Sequence, residues 1–297
     1  MSLKSRTSRS SASYQYWLML APVVLLSVGI TLPFLRGVYV SFTNEKSYIR
    51  HPSFNGLGNY IQLFGESTFR TGLVATGAYV FMVVALQIPL ATLVALLLDR
   101  TSLMQRFARR VLVAPLLIPP IVTGLMWKTM MQPSAGVLNY LLSKVGIAPQ
   151  PWLTDAKTSL MSILLIDTWA FTSFSALLLL AGLQSLPHEL REAAAVDGAD
   201  GFAFFRRVTL PWLAPYMVLA AMFRVADSLK QFDLIWPVTR GGPINSTRLL
   251  HVQSYEEAFR FASPARAMAI VFILWLAVYV TSFLLLRLWR RTVNAVG

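Results

Sequence analysis

Six apolar runs, each long enough to cross a bilayer, punctuate this sequence and leave it few choices of fold. They cover approximately 16–35, 72–98, 111–131, 161–183, 212–236 and 267–286. A hydrocarbon core about 30 Å thick is spanned by roughly 20 helical residues at about 1.5 Å each. Within it every backbone N–H and C=O has to be bonded inside the protein, which leaves helices or a closed barrel. The runs are continuous rather than alternating, so the expectation is an all-α integral membrane protein. Six transmembrane helices would fill 16–286, with tails at 1–15 and 287–297. Only 13% of the residues are charged, about half the share usual in soluble domains.

The formal net charge of +13 does not make this a nucleic-acid binder. The basic residues sit in turns beside the apolar runs, where positive charge orients a chain during insertion, and form no continuous face. An even number of spans puts both termini on one side. The segments on that side (1–15, 99–110, 184–211, 287–297) carry 13 Lys and Arg in 66 residues, against 10 in 95 in the opposite set. Both termini are therefore expected in the cytoplasm. Lys4, Arg6 and Arg9 mimic a signal peptide, but the run behind them is too long and lacks a cleavage site, so it reads as a retained first span. Cysteine is absent, and His51, His188 and His251 are widely separated, which argues against a thiolate or histidine metal site.

Prolines interrupt several spans: Pro22 and Pro33, then Pro89, then Pro115, Pro119 and Pro120 in the third. Each removes a backbone donor and kinks the helix, which fits either irregular packing or a cavity wall. Between spans, 136–146 places Val137, Leu138, Leu141, Leu142 and Val145 at helical spacing. A short surface helix is expected there, lying at the interface or receiving a soluble partner.

The loop between spans four and five carries the most specific pattern. Pro187 suits a first helical turn, Glu189 and Glu192 favour the helix dipole there, and Gly198 and Gly201 suit its end. A short Ala-rich helix is expected at about 187–201. Glu192-Ala193-Ala194, Gly198 and the later Leu210-Pro211 resemble the EAA loop of binding-protein-dependent importer permeases, with Val208 where isoleucine is commoner. Such a match is expected by chance in on the order of one chain per 100,000. Phe54 to Tyr60 (FNGLGNY) and Phe232-Asp233, Thr239 to Pro243 and Thr247 are similar to further signatures of carbohydrate permeases of the maltose and glycerol-phosphate type, in particular the first of their two permease subunits.

That resemblance implies a type I ABC importer permease in a bacterial inner membrane, with a cytoplasmic coupling helix seated in a cleft of an ATPase. The implied contacts are Glu192, Ala193, Ala194, Asp197, Gly198 and Ala199. It implies a second homologous permease, two cytoplasmic ATP-binding subunits, an external or periplasmic binding protein, surrounding membrane lipid and a carbohydrate-like solute. The chain has no G-x-x-x-x-G-K-[ST] phosphate loop. ATP and magnesium would therefore belong to the partner ATPase, and the chain itself needs no cofactor and is no enzyme.

Ionisable groups inside spans are costly and mark functional faces. Lys128, Asp167, Arg224, Asp227, Lys230 and Asp233 are the candidates. Lys128 and Lys230 are expected to snorkel toward the interface. Arg224, Asp227, Ser228 and Gln231 share one face of span five, and Asp167, Phe171 and Phe174 one face of span four. Carboxylate and amide suit hydroxyls, and rings suit the C–H faces of a sugar. Solute positions carried over from the family fall on Asp167, Ala170, Phe171, Phe174, Arg224, Ser228 and Gln231, and near Leu116. Charged Asp167 and Arg224 depart from the neutral groups expected for a maltose-like solute. Two other readings exist: Arg224 pairing with Asp167 or Asp227 to neutralise buried charge, or an ion-coupled secondary transporter using Asp167 and Asp227.

Overall fold

The computed structural model describes residues 9–99, 102–196, 198–199 and 201–296, with side chains from residue 20 onward except at 195, 295 and 296. Helices account for every regular element among them, beside an isolated antiparallel bridge between Thr43 and Phe54. The first span is α1 (Arg9–Ser41), followed by α2 (Gly58–Gly65) and the second span α3 (Ser67–Leu98). Then come α4 (Leu103–Val113), a 3₁₀ turn (Ala114–Leu117), α5 (Pro120–Met130) and α6 (Val137–Lys144). The fourth span is α7 (Ser159–Gln184), and its loop holds α8 (His188–Val196). A short α9 (Gly201–Phe204) and a π turn (Phe205–Thr209) lead into α10 (Leu210–Ser228); α11 (Phe232–Thr239), α12 (Leu250–Phe259) and α13 (Pro264–Val296) complete the chain.

Five of the expected spans are helices long and apolar enough to cross a membrane. Their helices outrun the apolar runs by several residues, because a helix leaving hydrocarbon needs no further apolar side chains. The tails set at 1–15 and 287–297 are accordingly helical at Arg9 and onward and from 287 to Val296. Two expectations need correction. The run 111–131 is a broken pair whose halves, Leu103–Leu117 and Pro120–Met130, meet at 97°. Pro119 and Pro120 together deny two backbone donors at the junction, so the chain turns there. The run 212–236 also breaks, at Gln231, and its last residues belong to α11.

The central helix is α7: 67% of its most apolar stretch is buried inside the chain, against 6% for α1 at the periphery. It packs on α3 and α10 through small residues, among them Ala91, Ala95 and Ala176. A Cβ on Gly182 would lie 2.7 Å from the Tyr216 ring, so glycine is what lets α10 approach α7. Lipid tails are as apolar as leucine, and this close backbone approach, rather than hydrophobic burial, supplies the contact.

On the face opposite the termini, motif residues hold loops together. Asn59 is buried and donates to the carbonyls of Ser41 and Thr43 at 2.8 and 2.7 Å, while Tyr60 shares a 2.7 Å hydrogen bond with Ser41. Thr247 donates to the Gly242 carbonyl and pairs with the Thr239 hydroxyl. The surface helix α6 is where the sequence places it, but Asn139 anchors it, bonding to Pro133, Gln150 and Trp152, and Val137, Leu141 and Val145 remain exposed.

His251 begins α12 and faces a cavity between α10, α12 and α13 that also holds Lys230 and Ser254. Burial pushes its imidazole down from the ordinary 6.5 to about 4. The unfolded chain therefore binds the extra proton between those values, and stability is lost as pH falls through that window. We expect the detergent-solubilised protein to lose up to about 3 kcal/mol between pH 6.5 and 4. Thermal unfolding midpoints of His251→Gln should lose that part of the pH dependence.

Candidate functional site

Three spans meet at one buried ion pair. Asp167 of α7 and Arg224 of α10 are both completely buried, and Arg224 Nη2 lies 2.7 Å from Asp167 Oδ2. Gln87 of α3 closes the triangle: its Nε2 donates to Asp167 Oδ2 at 2.6 Å and its Oε1 accepts from Arg224 Nε at 2.8 Å. The guanidinium carbon sits 4.5 Å from the centre of the Phe171 ring, a cation–π contact that gains strength out of water. Removing such a charge from water costs several kcal/mol per ion, which the mutual attraction and these hydrogen bonds offset.

Asp227, one turn along from Arg224, behaves differently. Its side chain is 41% exposed, with Oδ2 3.7 Å from Arg224 Nη1 and Oδ1 3.5 Å from Lys230 Nζ. It is the accessible end of the charge cluster. Ser228 is buried and its hydroxyl donates to the Arg224 carbonyl at 2.6 Å. Half-buried Phe174 meets Phe223 edge to face at 5.5 Å.

Around the pair, the Tyr79 hydroxyl faces the Asp167 carboxylate, and buried polar atoms without a close partner accumulate: Arg224 Nη1, Thr168, Thr172, Ser175 and Gln231 Nε2. Buried polar groups are satisfied in the great majority of cases, and these groups, with Tyr79, fall on α3, α7, α10 and the break after it. The three spans therefore carry a polar seam beside the ion pair.

The structure thus brings Asp167, Phe171, Arg224 and Asp227 into one contact set. Phe174 and Ser228 lie one or two helical turns along the same faces, whereas Gln231 falls in the break between α10 and α11. Leu116 occupies the 3₁₀ turn beside α7 and takes no part in the ion-pair contacts. Gln87 and Tyr79 are what sequence reading missed. Both are uncharged, and a search for ionisable groups passes over them; a lone amide amid the apolar run of α3 was the available signal.

At the terminal end of the bundle, α8 runs from His188 rather than Pro187 and stops at Val196, short of 201. Gly198 takes a left-handed φ of +68°, and the Ala199 N–H bonds the Ala194 carbonyl at 2.8 Å. This Schellman closure is the reason for a glycine six residues after Glu192. A Cβ there would meet open space, so the demand is conformational. Glu192, Ala193 and Gly198 are exposed, Ala199 is half-buried, and Ala194 packs inward; Asp197 lies outside the described residues. Arg191 holds α8 to the end of α3 through Asp99, at 3.1 Å.

The profile of the family described as binding-protein-dependent transport system inner membrane component matches residues 87–294. A probable ABC transporter permease protein, y4oQ, of Sinorhizobium fredii is 34% identical over 97% of this chain and 92% of its own length. The trehalose/maltose transport system permease protein MalF of Thermococcus litoralis is 32% identical over 85% of this chain and 86% of its own. In fold, the chain matches a subunit of a bacterial ABC transporter involved in the import of the acidic polysaccharide alginate. The TM-score is 0.83 at 20% identity, covering 95% of this chain and 96% of that one.

Breaking the buried pair tests its structural part. Arg224→Met alone leaves a buried carboxylate and should cost about 3–5 kcal/mol, read as a lowered melting midpoint in fluorescence-detected size-exclusion chromatography. Replacing Gln87, Asp167 and Arg224 together by Leu, Leu and Met should recover most of that loss.

Proposed function

The chain belongs to the family of binding-protein-dependent transport system inner membrane components, and on that premise we propose that it is one of two permease subunits enclosing the path of an ATP-driven importer for uncharged saccharides or polyols. The observation that carries the choice of solute is the charge balance at the seam. Asp167 and Arg224 cancel, and Asp227 and Lys230 cancel. A phosphate or uronate solute would call for cations in excess, and this cluster offers none. Asp227 and the Gln231 amide present acceptor and donor to hydroxyls, and Phe171 and Phe174 present rings to C–H faces. Asp167, Arg224 and Ser228 fix these groups from behind, and Leu116 lines the approach.

Both termini and α8 lie on the cytoplasmic side in this reading, as the Lys/Arg distribution favours. There α8 docks on one of two ATP-binding subunits through Glu192, Ala193, Ala194 and the Gly198 turn, with Asp197 and Ala199 at its edge. ATP and magnesium are bound by those subunits, and a solute-binding protein delivers solute to the opposite face. Closure of the ATPases pushes α8, and α10, continuous with that loop, swings with it. An ion-coupled mechanism would need Asp167 and Asp227 free to take and release a proton. Asp227 stands between Arg224 and Lys230, and Asp167 is the counter-ion of Arg224, which weighs against that.

Uptake by vesicles holding the complete complex tests both halves. We expect ATP-dependent uptake of a neutral sugar, abolished by Glu192→Lys in a complex that still assembles. Asp227→Asn, which removes one charge-assisted hydrogen bond of about 1.5 kcal/mol, should raise the apparent KM roughly tenfold. Uptake that persists without an ATPase and follows a proton or sodium gradient would sink the proposal.

A further inference from the structure

Helix α4 is amphipathic in a way that the transport path does not use. At 100° per residue, Leu103, Phe107, Val111 and Met104 fall within one sector of about 100°. Arg110 and Arg106 follow on its edge, then Arg109 and Gln105. Of the remaining apolar positions, Ala108 and Leu112 pack on the α3–α7 core, and half-buried Val113 falls among the arginines at the end of the helix. The first sector packs on nothing of the kind: Leu103 is 76% exposed, Met104 81%, Phe107 66% and Val111 55%. Such a surface is costly in water, yet three arginines bar the helix from the hydrocarbon centre.

Its position resolves the conflict. The 97° bend turns the α4 segment roughly perpendicular to α5, and Arg109 binds the last carbonyl of α3, Leu98 O, at 3.1 Å through Nε. The helix therefore lies across the terminal ends of α3 and α7, at the depth where hydrocarbon gives way to headgroups. A Ser102–Gln105 capping box fixes its start. Beneath it, Val94, Leu97, Leu98, Phe107, Ala108, Val111 and Leu112 line an open, almost wholly apolar groove of about 420 Å³.

We propose that α4 and the end of α3 form a binding site for an anionic glycerophospholipid, one acyl chain filling this groove and the headgroup phosphate held by Arg106 and Arg110. Both arginines are exposed and have no ion-pair partner among the described residues; α4 carries no carboxylate, and Asp99 at its foot is engaged by Arg191. A basic flank along an exposed apolar stripe matches the chemistry of an anionic leaflet surface. A second protein helix could cover the stripe only by bringing carboxylates to Arg106 and Arg110, an outcome that a crosslink to that chain would reveal. Placing the site in the cytoplasmic leaflet rests on the orientation proposed above; the lipid chemistry does not.

The test uses the complete importer in nanodiscs of phosphatidylcholine containing a minor share of phosphatidylglycerol. Photoreactive benzoylphenylalanine replaces Phe107, and intact-mass spectrometry reads the adduct after irradiation. The expected product carries one phosphatidylglycerol, enriched well above its share of the bilayer. Each phosphate-facing arginine contributes roughly fivefold to that enrichment. Arg106→Gln with Arg110→Gln should therefore erase it, and Arg106→Lys with Arg110→Lys should keep it. Adducts in proportion to bulk lipid and indifferent to the arginines would overturn the site, as would a crosslink to the second permease chain. Solute uptake is measured on the same preparation, so a failed importer assignment would leave the lipid readout standing.

Discussion

A guanidinium with no exposure at all, in the middle of a membrane helix bundle, has to be neutralised and hydrogen-bonded where it stands, and its counter-ion and its amide acceptor come from two other helices. Arg224 of α10 draws Asp167 from α7 and Gln87 from α3, the three spans that make the core. This fixes their rotation about their axes as well as their contact. Small residues such as Gly182 set how closely the same helices approach. Packing alone would leave helices free to slide in lipid, whereas a triangle of three charge-assisted and amide hydrogen bonds tolerates little displacement.

The same pair changes what its neighbours can do. With the charge of Arg224 balanced by Asp167, the partly exposed Asp227 is left as the carboxylate at the edge of the cluster, balanced by Lys230. The orphaned hydroxyls of Thr168, Thr172 and Ser175 run along α7 beside it. A buried charge pair next to a neutral polar seam gives a rigid wall with an unspent hydrogen-bonding surface. In the proposed importer that wall would move as a unit when α8 is pushed.

Away from the core, the resemblance motifs have mechanical explanations. Asn59 and Tyr60 tie the first loop to the end of α1, Thr247 closes the turn after α11, and Gly198 ends α8 in a left-handed conformation. Each satisfies backbone groups that would otherwise be left unpaired, so the residues that identify the family largely serve its fold.

The sequence by itself determined the solvent, five of the apolar crossings and the helix in the loop before α10, because each rests on local properties: run length, proline and glycine placement, and charge beside spans. It also singled out Asp167, Phe171, Arg224 and Asp227, because ionisable groups inside apolar runs are rare whatever the fold. Which partner Arg224 would take was decided by tertiary structure alone, since Gln87 and Asp167 stand 137 and 57 residues away from it. The same holds for the break in the third span. Prolines foretell a kink, but a 97° turn depends on what receives the chain on its far side, here the ends of α3 and α7. Periodicity reports which residues share a face, and only packing decides what that face meets.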